Sequence, residues 1–216
     1  MKHQQSGFTL VEIAIVLVII GLLLGGVLKG QELINSAKAK SYAQDFRTIQ
    51  AALYGFQDRF KGIPGDLAGA DTKITGATLA LVNGPVGNGQ IGGAWNSIGG
   101  TDESCLAWQH MRLAGFLAGS TTVGCADGNA YLQTNADGGR IGISSTMQMT
   151  TPTLMTGSYN ICSTGVLGKI AKQLDTQLDD GNTETGSFRV AAVGGTLALA
   201  TGTVADATSY LVCLAF

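Results

Sequence analysis

The sequence has few charged residues and almost no excess of either sign. Lysine and arginine total 13 and aspartate and glutamate 15, a formal net charge of −2 over 216 residues. A dedicated nucleic-acid-binding protein carries a clustered basic excess, so the composition argues against that class. Only three prolines accompany 32 glycines, which excludes a collagen-like or proline-rich rod. A hydrophobic content of 45% excludes wholesale disorder, and the length suits one domain with a sizeable core.

The one long hydrophobic run occupies residues 8–28, FTLVEIAIVLVIIGLLLGGVL, in which Glu12 is the only charged residue. As a helix rising about 1.5 Å per residue, this run extends roughly 30 Å, the thickness of the hydrocarbon layer of a bilayer. Lys2 lies before the run, which predicts a cytoplasmic N-terminus and an exported C-terminal part. A secretory signal peptide begins similarly, but no small-residue cleavage site follows the run, so a retained anchor is favoured.

Beyond Lys29 the hydrophobic pattern becomes one-sided. Large apolar residues recur at intervals of three and four, which is typical of an amphipathic helix: Tyr42, Phe46, Ile49, Leu53, Phe56 and Phe60. No proline interrupts residues 8–63, so a single helix of roughly 50 residues is predicted. The segment Gly62-Ile63-Pro64-Gly65-Asp66 predicts its end.

The rest of the chain predicts a globular head of mixed secondary structure. Short helices are predicted near 102–118 and 163–178, and short strands near 129–134, 139–145, 186–193 and 209–215, with an extended loop at 71–100. The predicted fold class is α+β: one long N-terminal helix with its apolar half protruding, and an antiparallel β-sheet head packed on its C-terminal half. The predicted segments are a leader at 1–7, a transmembrane or filament-core helix at 8–28, its amphipathic continuation at 29–62 and the head at 63–216.

The four cysteines, Cys105, Cys125, Cys162 and Cys213, all lie in the part predicted to be exported. An even number in an oxidising compartment predicts two disulfides, for which three connectivities exist. The preferred pairing is Cys105 with Cys125 and Cys162 with Cys213. A metal-binding or catalytic role is disfavoured because there is no C-x-x-C pair and the only histidines are His3 and His110.

Two loops match binding motifs loosely. Residues 87–92, GNGQIG, fit G-x-G-x-x-G, but no helical pattern follows, so a glycine loop is favoured over a dinucleotide site. Asp180, Asn182 and Glu184 place oxygen atoms at alternating positions, a spacing compatible with Ca²⁺, although ordinary turn chemistry after a helix is the favoured interpretation. No cofactor or resident metal is predicted. No enzyme is predicted either, because no nucleophile motif accompanies His110.

Glu12 requires a compensating partner inside the apolar run, since a carboxylate near the bilayer centre costs ~2.5–3.5 kcal/mol or more. Cleavage after Gly7 would create an amino group at Phe8, one helical turn from Glu12. That amine is able to pair with the carboxylate in its own chain or in a neighbouring chain. The alternative is a Glu12 side chain at headgroup depth that reaches water.

These residues resemble the prepilin signature of the type IV pilin and pseudopilin superfamily: a short basic leader ending in Gly7, then Phe8, Thr9-Leu10-Val11-Glu12 and an unbroken apolar helix. The resemblance implies cleavage between Gly7 and Phe8 by a prepilin peptidase and N-methylation of Phe8. It also implies that Glu12 of one subunit neutralises the Phe8 amine of another. The chain would first lie in the lipid of the inner membrane, and an inner-membrane assembly platform would then polymerise identical copies into an extracellular pilus.

The predicted function is therefore structural. The chain resembles most closely the main subunit of a type IV pilus, serving adhesion, twitching motility or DNA uptake, with no direct nucleic-acid site. A head of about 150 residues favours a surface pilus over a major pseudopilin. The alternatives are a pseudopilin of a type II secretion system or a minor pilin, and, in a different class, a singly anchored periplasmic binding domain.

Overall fold

The structure is a computed structural model that describes residues 9–81, 85–126, 131–150 and 153–216. Its helices are α1 (Leu10–Phe60), α2 (Ala70–Lys73), α3 (Glu103–Leu113) and α4 (Gly168–Leu178). Its strands are β1 (Ile141–Ser144), β2 (Asn160–Leu167), β3 (Phe188–Ala192) and β4 (Ser209–Ala215). The chain forms two compact units that divide between Ala37 and Lys38, so residues 38–60 of α1 belong to the second unit.

The predicted single long helix is confirmed, since α1 continues without a break for 51 residues. It ends at Phe60 because Lys61 adopts a left-handed conformation, φ 51°. The amide of Lys61 donates to the carbonyl oxygen of Gln57 at 2.9 Å, which is the hydrogen bond of an αL C-cap. Glycine usually fills this position, and Pro64 follows three residues later to prevent continuation.

The second unit is built around an antiparallel sheet with the strand order β1-β2-β4-β3. One face of the sheet packs on the C-terminal half of α1, where Phe46 meets Phe188 edge to face with ring centroids 6.2 Å apart. The α1 side chains in this core repeat at helical spacing: Tyr42, Phe46, Ile49, Leu53 and Phe56 are all essentially inaccessible to solvent. The predicted α+β class, with the sheet on the second half of the helix, is confirmed.

The opposite face of the sheet has its own smaller hydrophobic cluster. Strand alternation sends Cys162, Ala191, Leu211 and Cys213 to this face, where Trp95, Met149 and Met155 cover them. Gly142 of β1 permits the approach of Trp95, because a Cβ atom there would lie 1.8 Å from the Trp95 carbonyl oxygen. The sheet is therefore covered on both faces.

Loops also cover both edge strands. On β3, the amide of Val190 donates to Thr183, and the carbonyl oxygen of Val190 accepts from Leu199. Beside β1, the amide of Ser145 donates to Ile91, and that of Ile141 to Gln133. Covered edges disfavour the addition of a strand from another chain.

Two expectations about secondary structure are wrong. The sequence pattern predicts that residues 163–167 begin a helix, but they form the second half of β2, because pairing with β4 stabilises them as a strand. A bulge between Ser163 and Val166 accommodates Gly165 at φ 77°. The expected strand near 129–134 is absent from its described part, residues 131–134, where Thr134 forms only an isolated bridge with Arg140.

Candidate assembly interface

The first unit presents the aliphatic side chains of α1 to its surroundings. From Leu10 to Leu28 every large aliphatic residue is exposed, with exposed fractions from 46% at Ile20 to 86% at Leu10. Contiguous apolar surface of this extent marks a protein–protein or membrane interaction site. Among the described residues, α1 is the one helix that is long and apolar enough to cross a membrane.

A reciprocal pair of hydrogen bonds caps the start of α1. Oε2 of Glu12 accepts from the Thr9 amide at 2.8 Å and from the Thr9 hydroxyl at 2.7 Å, and the Glu12 amide donates to Thr9 Oγ1 at 3.3 Å. This arrangement is a capping box, in which a threonine and a glutamate three residues later satisfy each other's amides. Thr9 has no assigned role in the sequence-based prediction, although the T-x-x-E spacing is a sufficient signal for it.

The processing residues Gly7 and Phe8 lie outside the described residues, so cleavage between them and methylation of Phe8 stay predictions. The same holds for the role of Glu12 in assembly. The structure adds that Glu12 uses Oε2 for the capping box, while Oε1 accepts no hydrogen bond from the residues that the structure describes. One carboxylate oxygen is therefore available for a second donor.

The head is cross-linked by the two disulfides preferred from the sequence, Cys105–Cys125 and Cys162–Cys213. The second joins directly opposite residues of β2 and β4. The first joins Cys105 of α3 to Cys125, which lies 20 residues later in the chain. Both bonds are buried in the head.

The glycine-rich loop at 87–92 encloses a carboxylate of its own chain. The amides of Gly87 and Asn88 donate to Oδ1 of Asp66, and the amide of Gly89 donates to Oδ2 at 2.7 Å. Asp66 is buried, and no helix follows the loop directly. The loop thus holds an internal anion where a dinucleotide site would hold a phosphate.

His110 is fully buried on α3. Its Nδ1 accepts a hydrogen bond from the amide of Gly65 at 2.9 Å, and its Nε2 lies 2.9 Å from the Thr78 carbonyl oxygen. Burial lowers the pKa of His110, which favours the neutral ring. The side chain therefore joins α3 to the turn after α1.

Two buried carboxyl groups of the head have strongly raised pKa values. Burial raises the pKa of Glu103 to about 7, the amide of Gly92 opposes the shift, and nearby Asp66 adds to it. Burial also raises the pKa of Asp175 to about 7, with further contributions from Asp180 and Asp179. Both groups are completely inaccessible to solvent. Both groups therefore keep a proton to a higher pH than an ordinary carboxyl group does.

The loop at 179–187 forms a series of turns. The amide of Asn182 donates to Oδ1 of Asp180 at 2.9 Å, and the amide of Glu184 donates to Oδ1 of Asn182 at 3.2 Å. These are the Asx-type contacts of ordinary turns. Calcium binding by Asp180, Asn182 and Glu184 stays a prediction.

Comparison with known proteins identifies the N-terminal region alone. The family model described as "Prokaryotic N-terminal methylation motif" matches residues 2–28. No curated protein and no solved structure matches the chain. The matched segment contains Gly7, Phe8 and Glu12 and ends with the exposed apolar part of α1. The chain therefore carries a type IV pilin-like N-terminal signature, joined to an α+β head.

Proposed function

We propose that this chain is a structural subunit of a type IV pilus filament that polymerises through residues 8–28. The observation that carries the proposal is the coincidence of the methylation motif with the exposed aliphatic surface of α1. Prepilin peptidase would cut between Gly7 and Phe8, and Phe8 would be N-methylated. The mature subunit would remain anchored in the inner membrane until it is incorporated into an extracellular pilus.

The apolar surface suits both of these environments. A helix with aliphatic side chains on all sides is stable in lipid, and a bundle of similar helices offers it an equally apolar environment. Transfer from the membrane to a filament core therefore costs little solvation energy. Because a head-to-tail contact does not close on itself, repetition of this contact produces an open helical filament.

Glu12 is proposed to set the position of each incoming subunit. A carboxylate in an apolar bundle is costly unless it is paired, and the free amine of Phe8 in the preceding subunit would be the nearest cation. The capping box holds the Glu12 side chain against Thr9 through Oε2, so the carboxylate is already oriented when the amine arrives. A subunit docked one helical turn out of position would leave both charges unpaired.

The head supports assembly through α1 rather than through its sheet. Both described edge strands are covered by loops, which disfavours polymerisation by strand addition. Two disulfides strengthen a head that would face the exterior. Adhesion, twitching motility and DNA uptake are the functions proposed for the resulting filament.

Intact mass spectrometry of filaments sheared from the cell surface tests this proposal. The expected mass is that of residues 8–216 with one N-methyl group and four fewer hydrogens for the two disulfides. A Gly7→Leu variant serves as the control and is expected to retain its leader. Mature protein found only in the cell envelope would favour a pseudopilin or minor subunit. An unprocessed wild-type chain would overturn the filament proposal in favour of an anchored binding domain.

A further inference from the structure

Two acidic side chains of the head meet beneath the glycine-rich loop at 87–92. Asp66 lies in the turn after α1 and is 2% exposed, and Glu103 begins α3 and is fully buried. Their carboxyl groups lie within hydrogen-bonding distance of each other. Because both groups are removed from water, two negative charges at this place would repel each other strongly.

The backbone brings these two residues together. Gly65 has φ 88°, and a Cβ atom at this position would lie 2.2 Å from the carbonyl oxygen of Glu103. Glycine is therefore required for the turn after α1 to approach the first turn of α3 so closely. The amide of Gly65 also donates to Nδ1 of His110 at 2.9 Å, which fixes the same turn on α3.

The glycine-rich loop donates main-chain amides to both carboxyl groups. Its amides at positions 87–89 donate to the two carboxylate oxygens of Asp66, and the Gly92 amide donates to Oε2 of Glu103 at 2.6 Å. Residues 87–90 are exposed, so their side chains contribute little apolar burial. Hydrogen bonds to the two acidic residues therefore hold this part of the loop on the head.

One oxygen of the acidic pair has no donor. Oε1 of Glu103 is buried and receives no hydrogen bond from an N–H or O–H group of the described residues. The contact between Glu103 and Asp66 joins two acceptors unless one of the carboxyl groups carries a proton. Both oxygens of Asp66 accept from amides, and such hydrogen bonds favour a charged carboxylate. Glu103 is therefore the group that carries the proton.

The titratable groups around Glu103 favour its neutral form. On α3, the Asp102 carboxylate adds negative charge, and burial favours the neutral ring of His110. The glycine-rich loop at 87–92 and the strand β1 contain no titratable side chain. Burial is the main reason for the rise in the pKa of Glu103 to about 7, and the negative charges beside it act in the same direction.

A cavity of about 450 Å³ lies on the other side of Asp66. The loop at 87–92 forms part of its wall, and Lys61 and Lys73 line it from the end of α1 and from α2. Near Asp66, burial raises the pKa of Tyr159, so this phenol stays neutral through the neutral pH range. Movement of the loop would therefore widen this cavity and admit water to the acidic pair.

From this arrangement we infer that Glu103 and Asp66 share one proton, and that this proton keeps the glycine-rich loop closed on the head. With the proton in place, the hydroxyl at Oε1 of Glu103 donates to Asp66, and one negative charge remains for the loop amides to stabilise. After release of the proton to water, the two buried carboxylates repel each other, and opening of the loop hydrates them. This coupling lies within the head and does not depend on filament assembly.

The direction of the coupling follows from burial. Glu103 binds its proton more tightly in the closed head than in an open loop that water reaches, so opening releases one proton between about pH 4.5 and pH 7. Release of one proton lowers the protection of the loop amides against hydrogen exchange by about tenfold per pH unit. Above this range both states have lost the proton, and protection no longer changes with pH.

Hydrogen exchange of the full chain in detergent, labelled with isotopic glycine and followed by NMR from about pH 5 to pH 8, tests this coupling. After correction for intrinsic exchange rates, protection of the Gly87 and Gly89 amides is expected to fall about tenfold per pH unit up to pH 7 and then to stay constant. The Gly168 amide is the internal reference, because it donates to the main-chain oxygen of Thr208 at 2.8 Å. It is expected to be better protected than the loop amides at every pH.

Two substitutions at Glu103 separate a shared proton from burial alone. Glu103→Gln replaces the O–H donor by an N–H donor that is present at every pH, so loop protection is expected to be independent of pH. Glu103→Met has a side chain of similar length without a donor. At pH 5 it is expected to protect the Gly87 and Gly89 amides at least tenfold less than Glu103→Gln does. Asp71→Asn changes an exposed carboxylate of α2 and is expected to behave as wild type.

Four results would overturn the inference. Wild-type loop protection that does not change with pH is the first, and it decides the question even if neither Glu103 variant folds. The second is a Glu103→Gln variant that keeps the pH dependence of wild type. The third is equal loop protection in Glu103→Met and Glu103→Gln at pH 5, because a neutral buried side chain would then be sufficient. The fourth is equal protection of the loop amides and Gly168, which would mean that only global unfolding releases the loop.

Discussion

The hydroxyl of Thr9 donates a hydrogen bond of 2.7 Å to Oε2 of Glu12, and the Glu12 amide donates back to Thr9 Oγ1 at 3.3 Å. The carboxylate that is proposed to set subunit position is therefore also a component of the helix cap. Oε2 accepts from the amide and hydroxyl donors of Thr9, and Oε1 is the oxygen that the proposal assigns to the amine of a neighbouring subunit. Loss of Glu12 would remove both the helix cap and the proposed counter-charge for the amine, whereas loss of Thr9 would remove only the helix cap.

Replacement of Glu12 by alanine is expected to reduce the yield of surface filaments by tenfold or more, because the Phe8 amine of the neighbouring subunit would lose its counter-charge. Export and cleavage of the leader are expected to continue. Quantitative immunoblots of sheared filaments and of membranes measure both quantities. Glu32→Gln is the matched control, because Glu32 is an exposed acidic residue of the same helix that pairs with Lys29. Equal loss of filaments in both variants would contradict a specific role for Glu12.

Replacement of Thr9 by valine keeps the branched shape of the side chain but removes its hydroxyl group. An N-cap of this type stabilises a helix by about 1 kcal/mol, so the amides of the first helical turn are expected to exchange hydrogen about fivefold faster. Thr9→Ser keeps the hydroxyl and is expected to exchange like wild type. Hydrogen-exchange mass spectrometry in detergent resolves this difference. Identical exchange in the valine and serine variants would rule out a contribution from the capping box.

The disulfide between β2 and β4 is expected to contribute more stability than the one at α3. It encloses a longer loop, with a sequence separation of 51 against 20 residues, and the chain-entropy model gives about 4 and about 3 kcal/mol respectively. Urea unfolding of the paired variants Cys162→Ser with Cys213→Ser, and Cys105→Ser with Cys125→Ser, measures the two contributions. A larger loss of unfolding free energy in the Cys105/Cys125 double variant would show that loop length does not determine which disulfide contributes more stability.

Glu103→Gln is expected to stabilise the head at neutral and alkaline pH. The pKa of Glu103 is raised in the folded state to about 7 from an ordinary value of 4.5, so the folded protein retains a proton that the unfolded chain has released. Wild type therefore loses stability as pH rises from about 4.5 to about 7, and above this range the loss is constant. Glutamine is neutral throughout, and its carbonyl oxygen still accepts the hydrogen bond that Glu103 receives from the Gly92 amide at 2.6 Å.

The difference in free energy of unfolding between Glu103→Gln and wild type is expected to grow to about 3 kcal/mol across this range. Urea titrations at closely spaced pH values measure it. Glu184→Gln, which changes a partly exposed carboxylate, is expected to show no such trend. A difference between Glu103→Gln and wild type that is independent of pH would contradict a raised pKa at Glu103.

The N-terminal features of this protein follow from local sequence. A run of apolar residues without proline is sufficient to predict α1, and the three-four spacing from Tyr42 onward predicts the side of the helix that is buried. The cap at Thr9 is equally local, because its partner Glu12 is three residues away. Such features depend on helical periodicity and on neighbours within one turn, which the sequence displays directly.

Within the head, the tertiary structure decided what local patterns could not. Residues 163–167 have a helical pattern, yet they are a strand because β4 lies beside them, more than 40 residues later in the chain. Asp66 occupies the glycine loop at 87–89, and Asp175 is buried beside Asp179 and Asp180. The sequence by itself determined the long helix, its apolar face and its N-terminal motif. Only the tertiary structure decided which carboxylates are buried and which meet, because burial and pairing depend on contacts between distant segments.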